Sequence, residues 1–148
     1  MRTDYPFFTT IKNQQSTLAG DIRLLARVAN DGLAVAAKDV SMPGPLGSLA
    51  MLLEYKRLGA NIDIRKLPVP KNCELQRWLV AFPTYGFWLA AAPDKVSACC
   101  KLFESRGLAC KPVGEVVANS ELRLIDGRYN RLLLDLASET ITGLWGRE

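Results

Sequence analysis

The stretch Lys38-Asp39-Val40-Ser41-Met42-Pro43-Gly44-Pro45-Leu46-Gly47-Ser48 holds the residues whose types and spacing most suggest chemistry. A loop that feeds a helix presents unbonded backbone N–H groups and the positive end of the helix dipole, which is what an anion requires. Gly44 and Gly47 let a phosphate approach the backbone closely. Lys38 adds a charge, Asp39 can orient an amine or hydroxyl or support a metal bound to phosphate, and Ser41 and Ser48 offer hydroxyl donors. The spacing is not that of a Walker A loop, which requires G-x-x-x-x-G-K-[ST]. A structural reading stands beside this one: proline and glycine turn the chain, while Asp39 and Ser41 cap nearby backbone groups.

Other candidates are weaker. Glu54 and Glu115 would serve as acid and base only if they faced one cleft, and charged groups of this kind are ordinarily solvated or hydrogen-bonded structural residues. Trp78, Phe82, Tyr85, Phe87 and Trp88 lie close in sequence and would stack on a purine-like base, but aromatic residues dominate core burial and the packing role is the expectation. The cysteines are Cys73, Cys99, Cys100 and Cys110, with no C-x-x-C and no histidine anywhere in the chain. A zinc site and a histidine-activated thiol are therefore not expected, and the four read as free buried thiols in a reducing compartment.

Around the loop the apolar spacing defines the elements that must position it. Ser16 is placed to cap a helix over about 17–30, with Leu18, Ile22, Leu25 and Ala29 at helical spacing and Asn30-Asp31-Gly32 as the stop. Leu46, Leu49, Ala50 and Leu53 mark a second helix that runs toward Leu58-Gly59. Ala60 to Arg65 alternates polar and apolar residues as a half-wet strand does, and Pro68 and Pro70 end it. Asn72 opens a short helix with Leu75, Trp78, Leu79 and Phe82 on one side, broken at Pro83-Thr84. Tyr85 to Ala91 reads as a buried strand, Pro93 opens a helix with Val96, Cys100 and Phe103 inward, and Leu108 to Val117 follows as a strand, together a right-handed βαβ unit. Glu121–Ile125 and Asn130–Asp135, separated by Asp126-Gly127, form a terminal hairpin.

At 148 residues, 49% apolar and 23% charged, the chain has the composition of one globular α/β domain with one core. Its net charge of +4 arises from 19 basic and 15 acidic side chains spread singly. Nucleic-acid binders concentrate basic groups with interleaved aromatics, so that class is excluded and a mild attraction for phosphorylated small molecules is left. No apolar run approaches the roughly 20 residues that span a bilayer, and Met1 to Pro6 lacks a signal core, so a cytoplasmic location is expected.

The loop from Lys38 to Gly47 resembles the aspartate-and-glycine loop that opens a helix in the C-terminal domains of the AIR synthetase superfamily. That superfamily includes formylglycinamidine synthetase, selenophosphate synthetase, thiamine-monophosphate kinase and the hydrogenase maturation dehydratase. Asp39-Val40-Ser41-Met42, Leu52-Leu53-Glu54, Glu74 to Leu79, Phe82 to Phe87 and Gly114-Glu115-Val116 bring the chain nearest to uncharacterised AIR-synthase-related proteins, over about Tyr5 to Asp135. The resemblance implies an AIR-synthetase-like α/β fold with a mixed sheet covered by helices, a single C-terminal domain over 1–148, and a nucleotide-binding N-terminal domain absent from this chain. It implies the substrate or phosphate side of an ATP-dependent ligase or phosphotransferase, incomplete alone, with ATP and Mg as cofactors and a homodimer or N-terminal-domain partner. The alternative is a non-catalytic binding or assembly domain. Asp39, Ser41, Gly44 and Gly47 match the family loop, Gly86 matches the glycine that starts a central strand, and Lys38 and Ser48 flank the match. Pro43-Gly44-Pro45 departs from it, since several relatives carry an aspartate or further glycines there and Pro45 has no N–H.

Overall fold

The computed structural model describes residues 15–82 and 85–144 of the chain. Helix α1 spans Gln15–Asn30 and is followed by strand β1, Ala36–Asp39, and helix α2, Gly44–Glu54. Strand β2, Gly59–Asp63, passes through a 3₁₀ turn at Ile64–Lys66 to the short helix α3, Leu75–Leu79. Strand β3, Phe87–Ala90, helix α4, Val96–Glu104, and strands β4, Gly114–Val117, β5, Glu121–Asp126, and β6, Tyr129–Asp135, complete the order. The α/β class and the mixed sheet expected from the sequence are both present.

Helix α1 is already under way at Gln15, so Ser16 lies within it rather than ahead of it. Leu24 and Val28, four residues apart, form its buried seam. Helix α2 begins two residues earlier than the apolar stripe at Leu46 requires, because Pro43 stands at its N-cap and Pro45 has the fixed φ that a first turn accepts. The break expected at Pro83-Thr84 lies outside the described residues.

Strands are distributed over two sheets. The larger runs β4-β2-β5-β6, with β2 parallel to β5 and the other pairs antiparallel. The smaller is the antiparallel pair β1-β3. The terminal hairpin forms as expected, with an irregularity where β6 passes Leu122 and Arg123. The βαβ unit does not form: α4 joins β3 to β4, but these strands lie in different sheets and β4 pairs antiparallel with β2. Residues 108–113 stay irregular, and only four residues of the expected strand, Gly114–Val117, pair. Along α4 the buried face is Cys99 and Phe103 rather than the stripe through Cys100.

The alternation of β3 decides what it packs against. Successive strand residues point to opposite faces, and β3 sends Trp88 to one apolar cluster and Leu89 to another. The first cluster joins Leu49, Ala50 and Leu53 of α2 to Ala60 and Ile62 of β2, Leu122 of β5 and Leu136. The second joins Leu24 and Val28 of α1 to Cys99 and Phe103 of α4. The two-stranded sheet is thus a wall with a core on each side, where the sequence had suggested one core. Its residues are half-buried rather than fully buried along β3.

Glu54, at the end of α2, is 1% exposed and belongs to the first cluster's surroundings. Its carboxylate accepts from the backbone N–H of Ile141 at 2.7 Å, Thr142 at 2.9 Å and Gly143 at 3.3 Å, and from the Thr142 hydroxyl. Burial pushes this carboxyl toward its neutral form, but the bonds from Thr142, Ile141 and Gly143 outweigh burial and hold it below its ordinary value of 4.5. Of the two roles open to it in the sequence, Glu54 takes the hydrogen-bonded structural one. Because its folded pKa is depressed, its contribution is complete above the unfolded pKa and is lost as pH falls through the folded one. Replacing it, Glu54→Ala, strips four donors of their acceptor and is expected to cost about 2–4 kcal/mol in urea denaturation at pH 7. The deficit should shrink as the pH of the comparison is lowered from 4.5 through the depressed folded pKa.

Candidate functional site: the loop between β1 and α2

Four contacts hold the Lys38–Ser48 loop. The Val40 N–H donates to the Gly86 carbonyl at 2.7 Å, extending the β1-β3 ladder by one step. Inside the loop the Ser41 N–H donates to the Ser48 hydroxyl oxygen at 2.9 Å, and the Gly44 N–H to the Ser41 carbonyl at 2.9 Å. From outside, the Trp88 indole N–H donates to the Pro45 carbonyl at 2.7 Å. Ser48 is fully buried, so its oxygen serves the loop's own backbone. Ser41 is half-buried, and Met42 is 84% exposed at the turn.

Gly44 and Gly47 have packing roles. Gly44 sits at φ +73°, where a side chain is strained, and a Cβ there would come 2.9 Å from the Leu79 carbonyl oxygen of α3. At Gly47 a Cβ would fall 2.5 Å from the Pro43 Cβ. Both glycines therefore let α3 and Pro43 close onto the start of α2.

The helix terminus itself offers few donors. Of the amides that no intrahelical bond uses, those of Pro43 and Pro45 do not exist, that of Gly44 is bonded to Ser41, and Leu46 supplies the remaining one. The charged groups stand at the other end of the loop. Lys38 Nζ lies 2.5 Å from Asp39 Oδ1 and 3.0 Å from the Asp39 carbonyl oxygen, and the Asp39 side chain is 58% exposed. Two of the three ammonium donors are thereby accounted for.

Below this lip an open cleft of about 420 Å³ runs between α1 and the small sheet, lined by Leu25, Val28, Ala29, residues 34–39, Phe87 and Leu89. The register places Ala37 opposite Leu89 and Asp39 opposite Phe87. Partners directly opposite share a face, so these four point to the α1 side and Asp39 stands at the cleft's end. Lys38, Asp39, Ser41, Gly44, Gly47, Ser48 and Gly86 thus gather around one loop; of these only Lys38 and Asp39 border the cleft, Asp39 on its face and Lys38 on the opposite face beside Trp88.

The remaining candidates lie elsewhere. Glu115 is on β4, accepting from Asn61 Nδ2 at 3.3 Å, and shares no cleft with Glu54. Trp88 packs in the first core, as expected of the aromatic group, and Phe87 lines the cleft. All four cysteines are free; Cys99 is buried and the other three are half-buried. Burial and the neighbouring Cys100 push the Cys110 thiol up to about 12, so it is not a thiolate at neutral pH. The cleft itself was missed by the sequence reading, although Ala34-Val35-Ala36-Ala37 gave the signal of a small-residue run before a charged pair.

An α/β domain of this topology, with a proline-and-glycine loop opening a helix beside a two-stranded sheet, matches known proteins. The family model described as AIR synthase related protein, C-terminal domain, matches residues 13–127, and the chain belongs to that family. It is 33% identical over 135 residues to an uncharacterised protein of Methanocaldococcus jannaschii, covering 91% of this chain and 42% of the relative. An uncharacterised Synechocystis protein is 33% identical over 133 residues, covering 90% of this chain and 41% of that one. The chain therefore spans about two fifths of the length of these relatives. Among solved structures, Thermotoga maritima PurL complexed with ATP superposes with a TM-score of 0.70 at 18% identity, over 79% of this chain and 20% of PurL. The same protein complexed with FGAR gives 0.68 at 19% identity, over 79% and 20%. At these identities the likeness establishes the fold. Among the described residues no helix is long and apolar enough to cross a membrane.

Gly44→Ala is expected to lower stability by about 1–3 kcal/mol, from the positive φ and the contact with Leu79. Ser48→Ala, which leaves the Ser41 N–H without its acceptor, should cost about 1–2 kcal/mol. Thermal unfolding of the two variants checks both.

Proposed function

We propose that this domain is the ligand-binding C-terminal half of an ATP-dependent enzyme of the AIR synthetase type, and that the Lys38–Ser48 loop with Gly86 forms its phosphate-side edge. The observation that carries the reading is the family match, which spans the whole loop. Solved structures of like fold include Thermotoga maritima PurL complexed with ATP, ADP and FGAR.

In this reading the two charged groups at the end of β1 do the binding, and the rest of the loop holds them in place. Lys38 meets a phosphate oxygen through its remaining N–H. Asp39 faces the metal or a hydroxyl of the ligand. A lone carboxylate suits Mg, which keeps several waters and takes its other ligands from phosphate, and no group of three candidate ligands stands among the described residues to hold a metal without that help. A single carboxylate and a single ammonium do not make the cage of metal and donors that phosphoryl transfer needs. The domain is therefore read as one side of a site completed by an N-terminal domain. The protein's mildly basic surface, at a net charge of +4, favours an anionic ligand.

Isothermal titration with inorganic phosphate and Mg-ATP tests this. Lys38→Ala and Asp39→Ala are the variants of choice, Asp39 being an exposed side chain and Lys38 a largely covered one, so that the melting temperature of its variant is checked first. Saturable binding weakened at least about tenfold by Lys38→Ala, with the melting temperature unchanged, is the expected result. Binding that is indifferent to both substitutions would remove the loop from the site.

A further inference from the structure

Cys99, Cys100 and Cys110 form a thiol cluster to which the proposed function gives no part. Helix α4 ends in a reversal: the Gly107 N–H donates to the Glu104 carbonyl at 2.9 Å and the Leu108 N–H to the Phe103 carbonyl at 3.1 Å, with Gly107 at φ +73°. Leu108 and Cys110 both pack against the cluster that holds Cys99 and Phe103, so the chain after the turn runs back along the helix. Two extended residues cover about 6.6 Å. The three or four helical residues from Phe103 back to Cys100 and Cys99 rise about 4.5–6 Å. Cys110 therefore comes level with both, and its thiol hydrogen-bonds with theirs. We infer that Cys100 and Cys110 are an oxidation site, where a peroxide joins the two sulfurs in a reversible disulfide inside the folded domain.

The pairing follows from access and surroundings. Cys99 is 4% exposed and closed to a peroxide, whereas Cys100 and Cys110 are half-buried. Leu102, Phe103 and Leu108 supply an apolar setting, which disfavours a charged thiolate and accepts an uncharged disulfide. In the first step the Cys100 thiolate attacks a peroxide oxygen and the O–O bond breaks. The leaving oxygen takes up the proton that Cys100 released, and Cys100 becomes a sulfenic acid. In the second step the Cys110 sulfur attacks the Cys100 sulfur, the S–S bond forms and the S–O bond breaks. The departing hydroxide takes the Cys110 proton and leaves as water. The two sulfurs together lose two electrons, which reduce the peroxide. Cys73 is also half-buried but lies ahead of α3, outside the cluster, and serves as an internal control.

The test treats the folded chain with hydrogen peroxide, alkylates the remaining thiols and maps the tryptic peptides by mass spectrometry. The expected result is the loss of two of the four thiols, restored by dithiothreitol, and one link within the chain between Cys100 and Cys110. Fragment ions that separate Cys99 from Cys100 assign that bond in the unmutated protein, so the result does not depend on how a variant folds. In support, Cys99→Ser keeps the link, while Cys100→Ser and Cys110→Ser lose it at unchanged melting temperature. A link made through Cys99 or Cys73 overturns the inference. So does thiol loss that yields only sulfinic and sulfonic acids, or only bonds between two chains.

Discussion

Trp88 is the residue on which the arrangement turns. Its indole packs against the cluster formed by α2 and the larger sheet, its N–H holds the Pro45 carbonyl at 2.7 Å, and its backbone lies in the ladder with β1. A strand whose neighbouring residue, Leu89, enters the other core cannot slide by one position without exchanging its two apolar faces. The register of β1 against β3 is therefore strongly specified, and through the Val40–Gly86 bond it sets where the loop leaves the sheet. The start of α2 is then tied to the same indole.

From this follows the division of labour within the loop. Ser41, Gly44, Gly47 and Ser48 face the protein: two backbone donors and two missing side chains let the turn fold against α3. Lys38 and Asp39 end the strand on opposite faces, Lys38 beside Trp88 and Asp39 beside Phe87, held by the ladder rather than by the loop. A substitution in the first group acts on the packing of the turn, and one in the second on the charged end of the strand.

At the other end of α2 a second constraint operates. Glu54 ties Ile141, Thr142 and Gly143 to the helix over almost ninety residues of sequence, and Leu136 fills the core just before that contact. Nothing in the local sequence at either end announces the pairing, since a glutamate in an apolar helix and a Thr-Gly near a turn each have many uses. Asp63 is the local counterpart: its carboxylate takes Arg65 in two side-chain bonds and is held at about 2. A partner two residues away is a contact that sequence proximity does suggest.

Much of the fold was legible in the residues themselves. Helical spacing in α1 and α2, alternation in β2, the Asp126-Gly127 hairpin and the aspartate-and-glycine loop depend on contacts within a few positions, and local propensity and period decide them. The family likeness, carried by short stretches in order along the chain, was legible for the same reason. Three things were decided only in three dimensions. Whether the strand after α4 would run parallel to β3 depended on which strand each one paired with, and β3 pairs with β1 while β4 pairs with β2. Whether Ser48 would point to a ligand or to Ser41 depended on the curvature of a turn with two prolines in it. Whether an apolar run at residues 34–37 would be covered or left as the floor of a cleft depended on how far α1 stands from the small sheet. In each case several placements satisfied the local rules equally, and distant packing removed all but one.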